Sequence, residues 1–89
     1  MSKVNRVKNL CAGAITRIDE AIEDHKQGKP ADLSELMLVK VRAELEKMQS
    51  ILKPSQYKPS YPRYVLDWED KHGLVNYLIE VSYQYSMLK

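Results

Sequence analysis

Few residues in this chain are suited to do chemistry, and they are scattered. Cys11 is the one thiol, and His25 and His72 are the two imidazoles, in 89 residues. A cysteine nucleophile needs a histidine base within hydrogen-bond reach, a group that orients the base, and donors for the oxyanion. No orienting or oxyanion group is recognisable beside Cys11. Its neighbours Leu10, Ala12, Ala14 and Ile15 mark it instead as a small buried hydrophobe. No glycine-rich phosphate loop, CxxC, HExxH or nucleophile elbow occurs. Asp67, Glu69, Asp70 and His72 bring carboxylates close to an imidazole, but the spacing fits no common metal site. Capping of a helix N-terminus accounts for the carboxylates. The sequence therefore nominates no catalytic, cofactor-binding or metal-binding residue, and a non-enzymatic role is expected.

The chemistry that does stand out is recognition. The chain has six tyrosines, one tryptophan and no phenylalanine, and all seven aromatics lie after residue 56. Tyrosine tolerates water on one side of its ring, and Tyr, Trp and Arg dominate interface hot spots. Tyr57, Tyr61, Arg63, Tyr64 and Trp68 are accordingly the candidate surface for a protein partner. Pro54, Pro59 and Pro62 stiffen that stretch and lower the entropy lost on association. The competing reading is that the same rings fold back and seal a helical hairpin, and the sequence leaves the two open.

Basic residues supply the runner-up. Lys3, Arg6 and Lys8 cluster near the N-terminus, while Lys53, Lys58 and Arg63 interleave with Tyr57, Tyr61 and Tyr64. Cations among aromatics can follow a phosphate backbone and stack bases. Fourteen Lys plus Arg against twelve Asp plus Glu leave a net charge of only +2, which by itself argues for ordinary solubilising charge.

The elements that must position these residues are helical. From Val4 to His25, Val4, Cys11, Ile18 and His25 share one heptad position and Val7, Ala14 and Ala21 another. This predicts an amphipathic helix over about 3–26, ~33 Å long, with Gly13 as its weak point. Lys3, Arg6 and Lys8 sit at its N-terminal end and Asp19, Glu20, Glu23 and Asp24 near its C-terminal end, the reverse of what the helix dipole favours. An antiparallel neighbour offsets that order. Either the next helix or a second copy of this one serves, and the small residues in the seam admit close approach. A homodimer through Val4, Val7, Cys11, Ala14 and Ile18 is the expectation.

Gly28 suits a left-handed helix end, with Pro30 just beyond it. A second helix is expected over about 33–53, capped by Asp32 with Glu35 three residues on, and ended by Pro54. Leu38, Val41, Leu45, Met48 and Leu52 form its seam. Leu33, Leu36, Met37, Leu38, Val39 and Val41 point all round the axis, which predicts an N-terminal half covered on every side. Residues 54–66 read as an extended, Pro/Tyr-rich crossover without helical or strand period. The final stretch, about 67–88, fits a helix through Leu74, Leu78, Val81, Tyr85 and Leu88, with Asp67 as a capping residue and Gly73 as a break. The same residues also alternate with period two over 75–87. A single strand would lack partners, so helix is favoured.

These elements add up to one all-α domain over 1–89: a long antiparallel hairpin, a crossover and a C-terminal helical element in a small three-helix bundle. The alternative is α+β with 75–87 as a strand. A chain of this length hides only ~60–65% of its extended surface and leaves little room for a preorganised catalytic cleft. No stretch is long and apolar enough for a signal peptide or membrane span, and a lone cysteine suits a reducing compartment. A soluble, cytoplasmic protein is expected. The Lys- and Tyr-rich style is compatible with a small bacterial or phage accessory protein. The function expected is a protein–protein interaction module, an inhibitor, adaptor or immunity-type protein that occupies a protein partner. The alternative is a small nucleic-acid-binding regulator.

Overall fold

The computed structural model describes residues 2–29, 33–68 and 73–88. Among them are four helices and no strand: α1 (Lys3–Lys26), α2 (Glu35–Ser50), α3 (Tyr61–Val65) and α4 (Leu74–Ser86). α1 runs the length of the molecule and packs against both α2 and α4, while α3 rests on α4. The α+β alternative is thereby excluded for 75–87, where a 3.6-residue stripe prevails over the period-two pattern. Leu74, Leu78, Val81, Tyr85 and Leu88 are all buried on one side of α4 or just beyond its end.

α1 begins where the Ser2 hydroxyl accepts the Asn5 amide at 3.1 Å. It ends in a Schellman motif. Gly28 takes φ 78°, its N–H reaches the His25 carbonyl at 3.0 Å, and the Lys29 N–H reaches the Asp24 carbonyl at 2.8 Å. His25 Nε2 lies 2.6 Å from the Leu33 carbonyl, and since a carbonyl only accepts, Nε2 carries the proton. This bond closes the connection between the first two helices. Arg42 on α2 reaches back to Asp19 on α1, Nε to Oδ1 at 2.7 Å, so one of the acidic residues near the C-terminal end of α1 finds its cation within the chain.

The seam of α1 is likewise used within the chain. Val7, Cys11, Ala14 and Ile18 are buried in the core, and of the five residues expected to form a homodimer only Val4 remains exposed. The surface predicted for self-association through α1 is therefore taken by α2 and α4. Gly13 is not a weak point but a crossing point. A Cβ there would stand 2.5 Å from the Tyr77 hydroxyl, which donates to the Leu10 carbonyl at 3.4 Å.

α2 departs from expectation in three ways. Its N-cap is Ser34, whose hydroxyl accepts the Met37 amide at 3.2 Å; Asp32, expected in that role, lies outside the described residues. It stops at Ser50 rather than near 53, because Ile51 adopts extended geometry and the carbonyls of Ile51 and Lys53 turn to the Tyr85 hydroxyl. Its N-terminal half is not covered all round. Leu38, Val41, Leu45 and Met48 are fully buried, yet Leu36 is 81% and Val39 52% exposed. Neighbours flank α2 on the core side only, so an apolar residue on the outer face meets water.

Two further boundaries move. The crossover contains a five-residue helix, α3, with Pro62 in its first turn, where the missing N–H costs nothing. The C-terminal helix starts at Leu74, not 67, after Gly73 in the left-handed region at φ 82°. Asp67 and Trp68 belong to the turn that follows α3, the Trp68 N–H bonding the Val65 carbonyl at 3.1 Å. Residues 69–72, with Glu69, Asp70 and His72 of the candidate metal cluster, lie outside the described residues.

Candidate functional site

The crossover is fastened from two sides. On the α2 side, Glu44 is the fastening point. Its carboxylate accepts the Ser60 N–H at 2.6 Å, the Ser60 hydroxyl at 2.8 Å, the Tyr61 N–H at 2.9 Å and the Tyr64 hydroxyl at 2.6 Å. Partial burial alone would raise its pKa, but the donors of Tyr64, Ser60 and Tyr61 outweigh that and hold the carboxyl below its ordinary value. On the α4 side, the Tyr85 hydroxyl sits 2.5 Å from the Ile51 carbonyl and 3.1 Å from that of Tyr57. The Tyr85 ring is buried, and that burial pushes its pKa up, so it remains a neutral donor at neutral pH.

Between these fastenings the five candidate recognition residues take different places. Tyr61 is not a surface group. Its ring is fully buried and its hydroxyl donates to the Leu78 carbonyl at 2.8 Å, so it joins α3 to α4 from inside the core. Tyr64 is half-buried against α2, with the Lys40 ammonium 4.8 Å from its ring centroid. Tyr57 is half-buried with the Lys47 ammonium 5.8 Å from its ring centroid. Arg63 is exposed, and Trp68 is 39% exposed beyond the end of α3. Interface and seal were open alternatives for this stretch, and the rings divide between them: Tyr61 seals, Tyr57 and Tyr64 do so in part, and Arg63 and Trp68 face solvent.

Tyr57 and Arg63 are brought together at one feature, a groove of about 500 Å³ between the crossover and the C-terminal half of α4. Pro54, Pro59, Pro62, Tyr57 and Tyr85 give it apolar walls. Lys58 and Arg63 give it positive charge, and Ser60, Ser82 and Ser86 contribute hydroxyls. Among the described residues no acidic one lines it. Among the described residues neither Lys58 nor Arg63 has an ion-pair partner. Glu44 approaches from behind Ser60, with its charge already engaged by four donors.

The basic N-terminus is a separate feature. Lys3 and Arg6 line a smaller depression, about 270 Å³, with Tyr83 and Met87 on another face of α4. Cys11 is fully buried, and burial pushes its thiol up to about 11, so at neutral pH it is a packed thiol rather than a thiolate. Among the described residues no three His, Cys, Asp or Glu side chains gather around a common point that would hold a metal. Nor, among them, is any helix long and apolar enough to cross a membrane.

Two residues central to this site escape a reading of the sequence. Glu44 looks like any member of the wet face of α2, and its partners lie 16 to 20 positions away in a segment without period. Tyr85 carries a partial signal, since it falls on the apolar stripe of α4, but nothing local identifies Ile51 and Tyr57 as the targets of its hydroxyl. No known protein family, characterised protein or solved structure matches this chain.

Proposed function

We propose that this protein is a non-enzymatic protein-interaction module that engages its partner through the groove between the crossover and α4, in the manner of a small inhibitor, adaptor or immunity-type protein. The observation that carries this reading is the groove itself: apolar walls and, among the described residues, two cations without ion partners and no carboxylate in the lining. Pockets that bind by recognition combine mostly apolar walls with a few placed polar groups. The scaffold also favours binding over chemistry. Three prolines stiffen the chain, and Glu44 and Tyr85 fasten it at either side, so little freedom remains to be lost on association.

The test is selection of a random peptide library displayed on phage against the immobilised protein. Binders are expected to emerge, and Arg63→Ala, an exposed change, is expected to weaken them while leaving helical circular dichroism and the melting temperature unaltered. An absence of binders, or binders indifferent to Arg63, would defeat the reading.

A further inference from the structure

The lining of the groove also defines the chemistry of its occupant. Proline has no backbone N–H, so a wall built from Pro59 and Pro62 offers apolar surface and very few donors. Polar recognition is left to side chains. Of these, the Ser60 hydroxyl is already engaged with Glu44 and that of Ser86 with the Tyr83 carbonyl at 2.6 Å. Beside the neutral hydroxyls of Ser82 and Tyr57, Lys58 and Arg63 remain as the charged groups of the lining, both exposed and both without an ion partner among the described residues. A guanidinium presents a planar fork that matches a carboxylate in two parallel hydrogen bonds, and an ammonium adds a point charge beside it.

Resting on the interaction-module reading, we propose that the groove takes a short acidic segment of a partner protein. An apolar side chain of that segment sits against the proline and tyrosine wall, and flanking carboxylates meet Arg63 and Lys58. The volume, about 500 Å³, suits a few residues of an extended peptide rather than a whole helix. Charge complementarity sets the orientation and rejects basic segments, since a like charge brought beside two unpaired cations is repelled.

A single-stranded nucleic acid would use the same cations but needs open ring faces on which bases stack. The groove does not offer them. Tyr85 is 1% exposed, Tyr57 carries the Lys47 ammonium over its ring, and the more exposed rings of Tyr83 and Trp68 lie outside the lining.

Fluorescence anisotropy tests this with three probes: a fluorescein-labelled peptide with a leucine pair set between glutamates, the same peptide with glutamines for glutamates, and labelled oligothymidylate. The glutamate peptide is expected to bind roughly tenfold or more tightly than the glutamine peptide, the gain typical of charge-assisted hydrogen bonds. The double variant Lys58→Glu plus Arg63→Glu should lose the glutamate peptide and gain affinity for a lysine counterpart. A variant that merely misfolded would not show this reversal. Equal binding of the glutamate and glutamine peptides, retention of the glutamate peptide by the double variant, or tighter binding of oligothymidylate overturns the proposal. If phage display yields binders but none is acidic, the acidic-segment inference falls and the interaction-module reading stands. If display yields no binder, both fall.

Discussion

Glu44 Oε1 accepts the backbone N–H of Tyr61 at 2.9 Å, so the residue whose ring fills the core between α3 and α4 is held through its main chain by a carboxylate of α2. Two elements with few direct contacts are joined at one residue. Glu44→Ala leaves that N–H and the groups of Ser60 and Tyr64 without their acceptor, and should cost about 1–2 kcal/mol because part of the site reaches water. In a domain of this size that is a fall of roughly 4–8 °C in melting temperature per kcal/mol, read from a thermal melt.

The same carboxylate makes an acid-sensitive contribution of defined sign. Its folded pKa lies below its ordinary value, so the folded state binds a proton less readily than the unfolded chain. The stability it provides is complete above the unfolded carboxyl pKa of about 4.3 and is lost as pH falls through the lower folded value. Chemical denaturation from pH 6 down to about pH 3 should therefore show a smaller loss of stability in Glu44→Gln than in the parent. Identical slopes would mean that the carboxylate contributes nothing by its charge.

Burial on α2 predicts a contrast between neighbours that look alike in the sequence. Leu38→Ala removes a fully buried side chain and should cost about 2–5 kcal/mol. Leu36→Ala removes one that is 81% exposed and should lie within about 0.5 kcal/mol of the parent. Equal effects in thermal melts would mean that the outer face of α2 is covered.

How much of this was legible in advance follows from what periodicity reports. The seams through Val7, Cys11, Ala14 and Ile18, through Leu38, Val41, Leu45 and Met48, and through Leu74, Leu78, Val81 and Tyr85 each span several turns, enough for a 3.6-residue pattern to declare itself. Gly28 announced the end of α1 because its left-handed conformation penalises other residues. Periodicity does not report how many neighbours a helix has, so Leu36 and Val39 seemed as buried as Leu38. It is silent over α3, which at five residues is too short to show a period. Without a period, nothing distinguished the inward ring of Tyr61 from those of Tyr57 and Tyr64. Glu44 was hidden for a related reason: a carboxylate on a polar face is explained by solvent until its distant donors are known.

Gly13 offers a test that reverses sign with background. Alanine at an ordinary helix interior stabilises by up to about 1 kcal/mol over glycine. Here its Cβ would meet the Tyr77 hydroxyl at 2.5 Å, with the ring carbon behind it at 3.6 Å, an ordinary contact. Gly13→Ala should therefore destabilise the parent, yet stabilise a Tyr77→Phe background in which the clashing oxygen is gone. Additive effects of the two changes in a double-mutant cycle would show that Tyr77 does not pass over Gly13.

Tyr85 links stability to the groove. Its single hydroxyl stands 2.5 Å from the Ile51 carbonyl and 3.1 Å from that of Tyr57, at the point where α2 ends and the crossover begins. Tyr85→Phe keeps the buried ring and removes only the donor, so the core should persist while those carbonyls lose their partner, at a cost of about 1–3 kcal/mol. The loss should be local as well as global. Tyr57 and Pro54 line the groove, and with the tether gone their segment gains freedom that a ligand must then remove. Hydrogen exchange should accordingly quicken across residues 51–58 more than across α1, and any peptide selected on the parent should bind Tyr85→Phe more weakly. If exchange in 51–58 and peptide affinity both match the parent, the crossover is held in place by Glu44 and apolar packing alone, and the hydroxyl of Tyr85 is not part of what shapes the groove.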